Sequence, residues 1–206
     1  MPSITDFRTK ILALLDDPNQ VKYTSNQVDQ ALREALSKYD QFLPVEKTYI
    51  MNGTGEQRIT LPADFTALRI VHVELLKAKP TSKDAISFSA YKVDEQWMIE
   101  TNDRVVSVTE SIVIQHSARN YIDGLDSAAG TSVALEDTDA LALGAAGFAA
   151  VTRSHSRVEA INLAPDVSRQ LQALGQKYLD EFYRHFTSAS KGFVTANWKL
   201  DTAKDY

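Results

Sequence analysis

Cysteine is absent from all 206 residues, which excludes disulfide cross-links, thiolate metal ligands and cysteine nucleophiles together. The fold must come from packing alone, and a chain of this length can bury a core large enough for that. An excess of positive charge is missing too. The 22 Lys and Arg stand against 27 Asp and Glu, a formal charge of −5, with a pI near 5.4. That balance argues against the clustered basic footprint of a nucleic-acid binder, although an acidic wall still lets DNA slide past without sticking. Long apolar runs are lacking as well: Ala140–Val151 spans about 12 residues where a membrane helix needs roughly 20. The opening Met1-Pro2-Ser3-Ile4-Thr5-Asp6 has neither the basic nor the apolar region of a signal peptide. The chain therefore reads as soluble and unexported, with no membrane partner.

What is present falls into periodic blocks. Ile4, Phe7, Ile11, Leu12 and Leu15 recur at helical spacing, with Ser3 as N-cap and Asp6 placing negative charge in the first turn. Asp17-Pro18-Asn19 ends that helix. A second helix is signalled by the capping-box spacing of Thr24 and Gln27 and by Tyr23 and Val28 at hydrophobic-staple positions. Its apolar stripe runs from Val28 through Ala31, Leu32, Ala35, Leu36, Tyr39, Phe42 and Leu43 to a stop at Pro44.

From Val45 to Arg119 the period shortens to that of strands. Thr48–Met51 and Arg58–Leu61, joined through Asn52-Gly53-Thr54-Gly55, read as a hairpin. Further strands are expected at Leu68–Leu76, Phe88–Val93, Trp97–Glu100, Val105–Val108 and Ile112–Arg119, with an exposed loop at Lys77–Asp84. Residues 120–137 read as a long polar loop, the kind that is functional or disordered inside a compact domain. Helical periodicity returns over Asp139–Val158 and from Pro165 to about Ser188. The expected class is α+β: a small bundle of two N-terminal and two C-terminal helices (residues 1–44 and 138–188), with an antiparallel sheet or sandwich over 45–119 inserted between them. An extended C-terminal tail over 189–206 completes the chain.

Catalytic constellations are not evident. His72, His116, His155 and His185 show no metal-binding pair at one-turn spacing, and no nucleophile elbow or phosphate loop occurs. Asp123 and Asp126 could hold a cation or could be solvated turn residues; their spacing is not that of an EF-hand. Gly144-Ala145-Ala146-Gly147 follows no strand, so a steric role fits it better than dinucleotide binding: small residues let another backbone approach. The expectation is a protein that is not an enzyme and needs no metal or cofactor. The tail, by contrast, spaces Phe193, Trp198, Leu200 and Tyr206 along a polar segment. Such anchors suit docking into a partner's grooves, the alternative being that the tail folds back on its own core.

Three stretches, taken in order, resemble the head–tail adaptor (connector) proteins of tailed bacteriophages. One is Tyr23-Thr24-Ser25 through the Ala- and Leu-rich helix to Tyr39 and Pro44. Another is Ile59-Thr60-Leu61-Pro62-Ala63-Asp64-Phe65 leading into Ile70-Val71-His72-Val73. The last is Ile112-Val113-Ile114-Gln115-His116, the Asp123-Gly124 loop and the helix Ala140–Val151. The resemblance covers most of residues 1–188 and implies a virion protein of the phage neck, made in the host cytoplasm. It implies a ring, usually dodecameric, below the portal protein, with DNA passing through the channel without sequence-specific binding. Its partners would be the portal, neighbouring adaptor subunits and the next neck or tail protein (stopper, tail terminator or nozzle). The C-terminal segment would reach to the portal. Two other readings stand beside it: another neck or tail-completion protein, and a soluble β module that binds ligands or mediates adhesion.

Overall fold

The computed structural model describes residues 1–76, 84–158 and 165–190. These form an α+β protein with four helices and two small antiparallel sheets. The chain divides into two compact units, residues 1–43 with 120–206 and residues 44–119.

Local chemistry sets the N-terminal helices. Helix α1 (Ile4–Leu14) begins with a full capping box in which Ser3 accepts from the Asp6 N–H and Asp6 accepts from the Ser3 N–H. Helix α2 (Ser25–Phe42) repeats the device with Thr24 and Gln27, and the staple pair Tyr23 and Val28 is buried. Between the two helices, buried Asp17 accepts from the backbone N–H groups of Val21, Lys22 and Tyr23 at 2.7–2.9 Å. Burial opposes its ionisation, yet these bonds outweigh it and hold its carboxyl below the usual range. A carboxyl lowered in the folded state contributes stability above its unfolded value, about 3.9, and loses it as pH falls through the folded value. Asp17→Asn should therefore lower the melting temperature at neutral pH and shrink the further loss seen below about pH 4. Melting curves across that range check both parts; an unchanged acid slope would show that Asp17 does not contribute to it.

Helix α3 (Thr138–Val158) is the centre of the helical unit, packed against α1, α2 and α4 (Pro165–Ser190). Its core joins Phe7, Ile11, Val28, Leu32, Leu141, Ala145, Phe182 and Phe186. The expected apolar stripe of α4 is buried only toward its C-terminal end, where Leu179, Phe182 and Phe186 lie inside, while Val167 is exposed. The steric reading of Gly144 and Gly147 agrees with what surrounds them. A Cβ on Gly144 would lie 2.5 Å from the Phe182 ring, and one on Gly147 would lie 2.9 Å from Leu179. Small residues here let α4 seat directly on α3.

The segment 120–134 is irregular, as a loop should be, but it is not merely solvated. Ile122, Leu125 and Val133 are buried, and the Ile4 N–H donates to the Asp123 carbonyl at 2.9 Å. Gly124 has φ +80°, a left-handed conformation that glycine adopts without steric cost, and a Cβ there would meet Ile4 at 2.9 Å. A single 3-10 turn, Leu135–Asp137, leads into α3.

In the other unit, strands β1 (Val45–Asn52), β7 (Ser111–Ala118), β3 (Arg69–Leu76) and β4 (Asp84–Ala85) form one sheet in that order. Strands β2 (Arg58–Thr60), β6 (Gln96–Thr101) and β5 (Phe88–Val93) form the second. The sheets share one core that includes Ile59, Val73, Ile99, Ile112 and Ile114. Two expectations are corrected here. The 48–51/58–61 hairpin does not form: β1 pairs with β7 over its whole length and β2 pairs with β6. Gly53 and Gly55 instead donate to the carbonyls of Glu110 and Val106, so the Asn52–Gly55 stretch is stitched to a distant loop. Val105–Val108 is not a strand but part of that loop. Val106 is buried, and Glu110 organises the turn through Arg104 and the Ser107 N–H. Of the expected loop at 77–84, residues 77–83 lie outside the described residues, and Asp84 belongs to β4, opposite Leu75.

Candidate functional site

The four residues expected to bind a partner, Phe193, Trp198, Leu200 and Tyr206, lie outside the described residues. Helix α4 continues to Ser190, so the segment that carries them begins two residues later than its periodicity suggests. Within the described residues, the helical unit presents an apolar groove and the β unit several smaller concavities.

In the helical unit, buried Asp137 joins two groups that lie far from it in sequence. The Tyr39 hydroxyl donates to its Oδ2 at 2.8 Å, and His185 Nε2 lies 3.2 Å from its Oδ1. Burial, followed by the bond and the charge at Asp137, pushes the Tyr39 phenol well above its ordinary value, so it stays a neutral donor. The Tyr39 ring meets Phe186 edge-on at 5.0 Å. His185 opens onto a groove of about 710 Å³ floored by Ala13, Leu14, Ala140 and Leu143. Lys10 and Asp139 form an ion pair at its rim, beside Glu136 and Glu181. A histidine backed by a carboxylate could move a proton, but among the lining residues there is no serine, threonine or cysteine to act as nucleophile. His185 lies on α4, and no spacing in the sequence signals its pairing with Asp137.

The other candidates are accounted for one by one. Asp126 is an exposed turn residue, and Arg33 holds it through a two-pronged contact at 2.7 and 3.0 Å. The Arg33 bond is the main reason its carboxyl is lowered, against a smaller opposing effect of burial. His72 lies 3.5 Å from Glu74 on the same strand. His116 is buried with its ring 4.6 Å from that of Phe65. Burial holds His116 below the ordinary histidine value, the Ile114 backbone acts in the opposite direction, and the Lys47 charge lowers it further. It is a neutral core histidine. His155 is exposed near the end of α3. Among the described residues, no group of three or more His, Asp or Glu is placed to hold a metal ion.

No family model matches the chain, and no curated protein matches it in sequence. Among the described residues no helix is long and apolar enough to cross a membrane.

The β unit carries a second concavity, a cleft of about 580 Å³. Phe65, from the corner after β2, and Trp97 of β6 contribute aromatic walls, while Lys47 of β1, Lys92 of β5 and Arg119 supply positive charge. The Trp97 indole N–H donates to the Ala67 carbonyl at 3.3 Å, which fixes the ring, and the Lys92 ammonium sits 5.2 Å from its centroid. Phe65 is held edge-on by Tyr49 at 5.3 Å. No local pattern in the sequence signals this cleft, because its walls come from five separate segments.

Proposed function

We infer that this chain is a head–tail adaptor subunit of a tailed phage, one that forms a ring below the portal and continues the DNA channel. The ring would link the portal to the next neck or tail protein. The observation that supports this reading best is the order of the chain. Helices α1 and α2 precede the β unit, α3 and α4 follow it, and both pairs share one core. That is the arrangement expected of the family the sequence resembles. It delivers the aromatic segment 191–206 directly from the end of the longest helix. Its role is assembly: burying unlike faces of successive copies closes a ring, and the aromatic anchors Phe193 and Trp198 dock on the portal.

The test is retention of the full chain on immobilised portal rings, compared with a chain ending at Ser190 and with Phe193→Ala/Trp198→Ala. Loss of two aromatic anchors should weaken binding at least about tenfold, equivalent to roughly 1.4 kcal/mol. The helical circular dichroism should be unchanged. Equal retention of all three would remove the tail from the mechanism, and no retention of the full chain would sink the adaptor reading.

A further inference from the structure

We propose that the apolar groove of the helical unit is the docking site for residues 191–199 of its own chain, with Phe193 and Trp198 in the groove and Lys191 and Lys199 at its carboxylates. The groove is floored by aliphatic side chains and bordered by three carboxylates, Glu136, Asp139 and Glu181, against one lysine. That lysine is already taken: Lys10 pairs with Asp139, and His185 lies against Asp137. Glu136 and Glu181 have no cationic partner among the described residues. An apolar floor is thus bordered by two uncompensated negative charges.

That charge repels nucleic acid and an anionic lipid surface. It matches an apolar segment that carries two positive charges and no negative one. The chain contains such a segment: Lys191-Gly192-Phe193-Val194-Thr195-Ala196-Asn197-Trp198-Lys199 has two lysines, no aspartate or glutamate, and two aromatic rings to bury. Carboxylates resume only at Asp201. The segment also begins beside the groove. Helix α4 ends at Ser190, and His185 and Glu181 stand five and nine residues before it on the same helix, about 7.5 and 13.5 Å back at roughly 1.5 Å per residue. Gly192, two residues past the helix end, is the residue type with which helices most readily reverse the chain. From there residues 193–199 extend up to about 23 Å at roughly 3.3 Å per residue, longer than the stretch of α4 they must retrace. A tether this short holds the segment at an effective concentration in the millimolar range, so it outcompetes a free peptide of the same composition.

The contact lies within one chain and does not rest on the portal; in the ring reading given above, the portal would draw the same anchors out of the groove. The absence of cysteine makes it directly testable. Full-length Ala13→Cys/Thr195→Cys is treated at high dilution with a short bis-maleimide, beside Ser37→Cys/Thr195→Cys as control. Ala13 lines the groove, whereas Ser37 is an exposed residue of α2 that does not. The expected product is a link within one chain, formed at least about fivefold faster than in the control. Glu136→Lys/Glu181→Lys should slow it at least about threefold, as should Lys191→Glu/Lys199→Glu and raised salt. The four charge changes together should restore it. The tail pair alters no residue of either core, which guards against misfolding. A link no faster than the control would overturn the proposal. So would a link formed only between chains, or a rate indifferent to both charge reversals. Failure of portal retention leaves this link intact, and loss of the link leaves retention intact, so the two readings fail separately.

Discussion

Gly175→Ala is expected to destabilise the helical unit by about 2–3 kcal/mol, although helix propensity alone would make it stabilising by roughly 1 kcal/mol. Gly175 is buried in the middle of α4. A Cβ built there lies 2.7 Å from a Val151 methyl, 2.9 Å from the Gly147 carbonyl oxygen and 3.0 Å from the Val151 backbone nitrogen. Two of these are main-chain atoms of α3, so no rotamer change relieves the contact. The helices must move apart, and the interface through Leu179 and Phe182 loosens with them. Urea unfolding followed by helical circular dichroism measures the change. A more stable variant would mean that the two helices separate at no cost and that the glycine pair is incidental.

This contact also marks the limit of what the sequence discloses. Gly144 and Gly147 could be read as small residues awaiting a neighbour because they interrupt an alanine-rich helix. Gly175 could not, because its partner lies on another helix and a lone glycine in a helical pattern has no local signature. The same division holds elsewhere. The N-cap at Ser3 and the capping box at Thr24–Gln27 are local, and both occur where the sequence places them. Most strand positions were legible from alternation, Val105–Val108 and the short β4 excepted, but strand partners were not. Pairing Val45–Asn52 with Ser111–Ala118 closes a long loop that turn residues near either strand cannot announce. The Asn52-Gly53 turn signal was outweighed by the buried face that Ile112 and Ile114 offer to β1. Of the candidate surfaces, the tail's aromatics stood out by composition. The Tyr39–Asp137–His185 chain and the cleft around Trp97 exist only once distant segments meet.

The second large effect concerns the partner of Gly144. Phe182 is fully buried, its ring 5.0 Å from Phe186 and 5.2 Å from Tyr183 in edge-on contacts. Phe182→Ala should cost about 3–5 kcal/mol, through lost burial and the cavity left behind. Gly144→Ala should cost about 1–3 kcal/mol, since its new methyl would sit 2.5–2.9 Å from three ring carbons of Phe182. The two costs have a common origin. The ring occupies the space that a Cβ on Gly144 needs, so removing the ring makes room for the methyl, and the methyl partly fills the cavity. The double variant should therefore be more stable than the sum of the single changes by at least about 1 kcal/mol, within the range seen for side chains in contact. Additivity to within about 0.3–0.5 kcal/mol would show that α4 shifts freely on α3. Coupling of the expected size would show that it does not. An α4 held rigidly at Gly144, Gly147 and Gly175 fixes where the helix ends at Ser190.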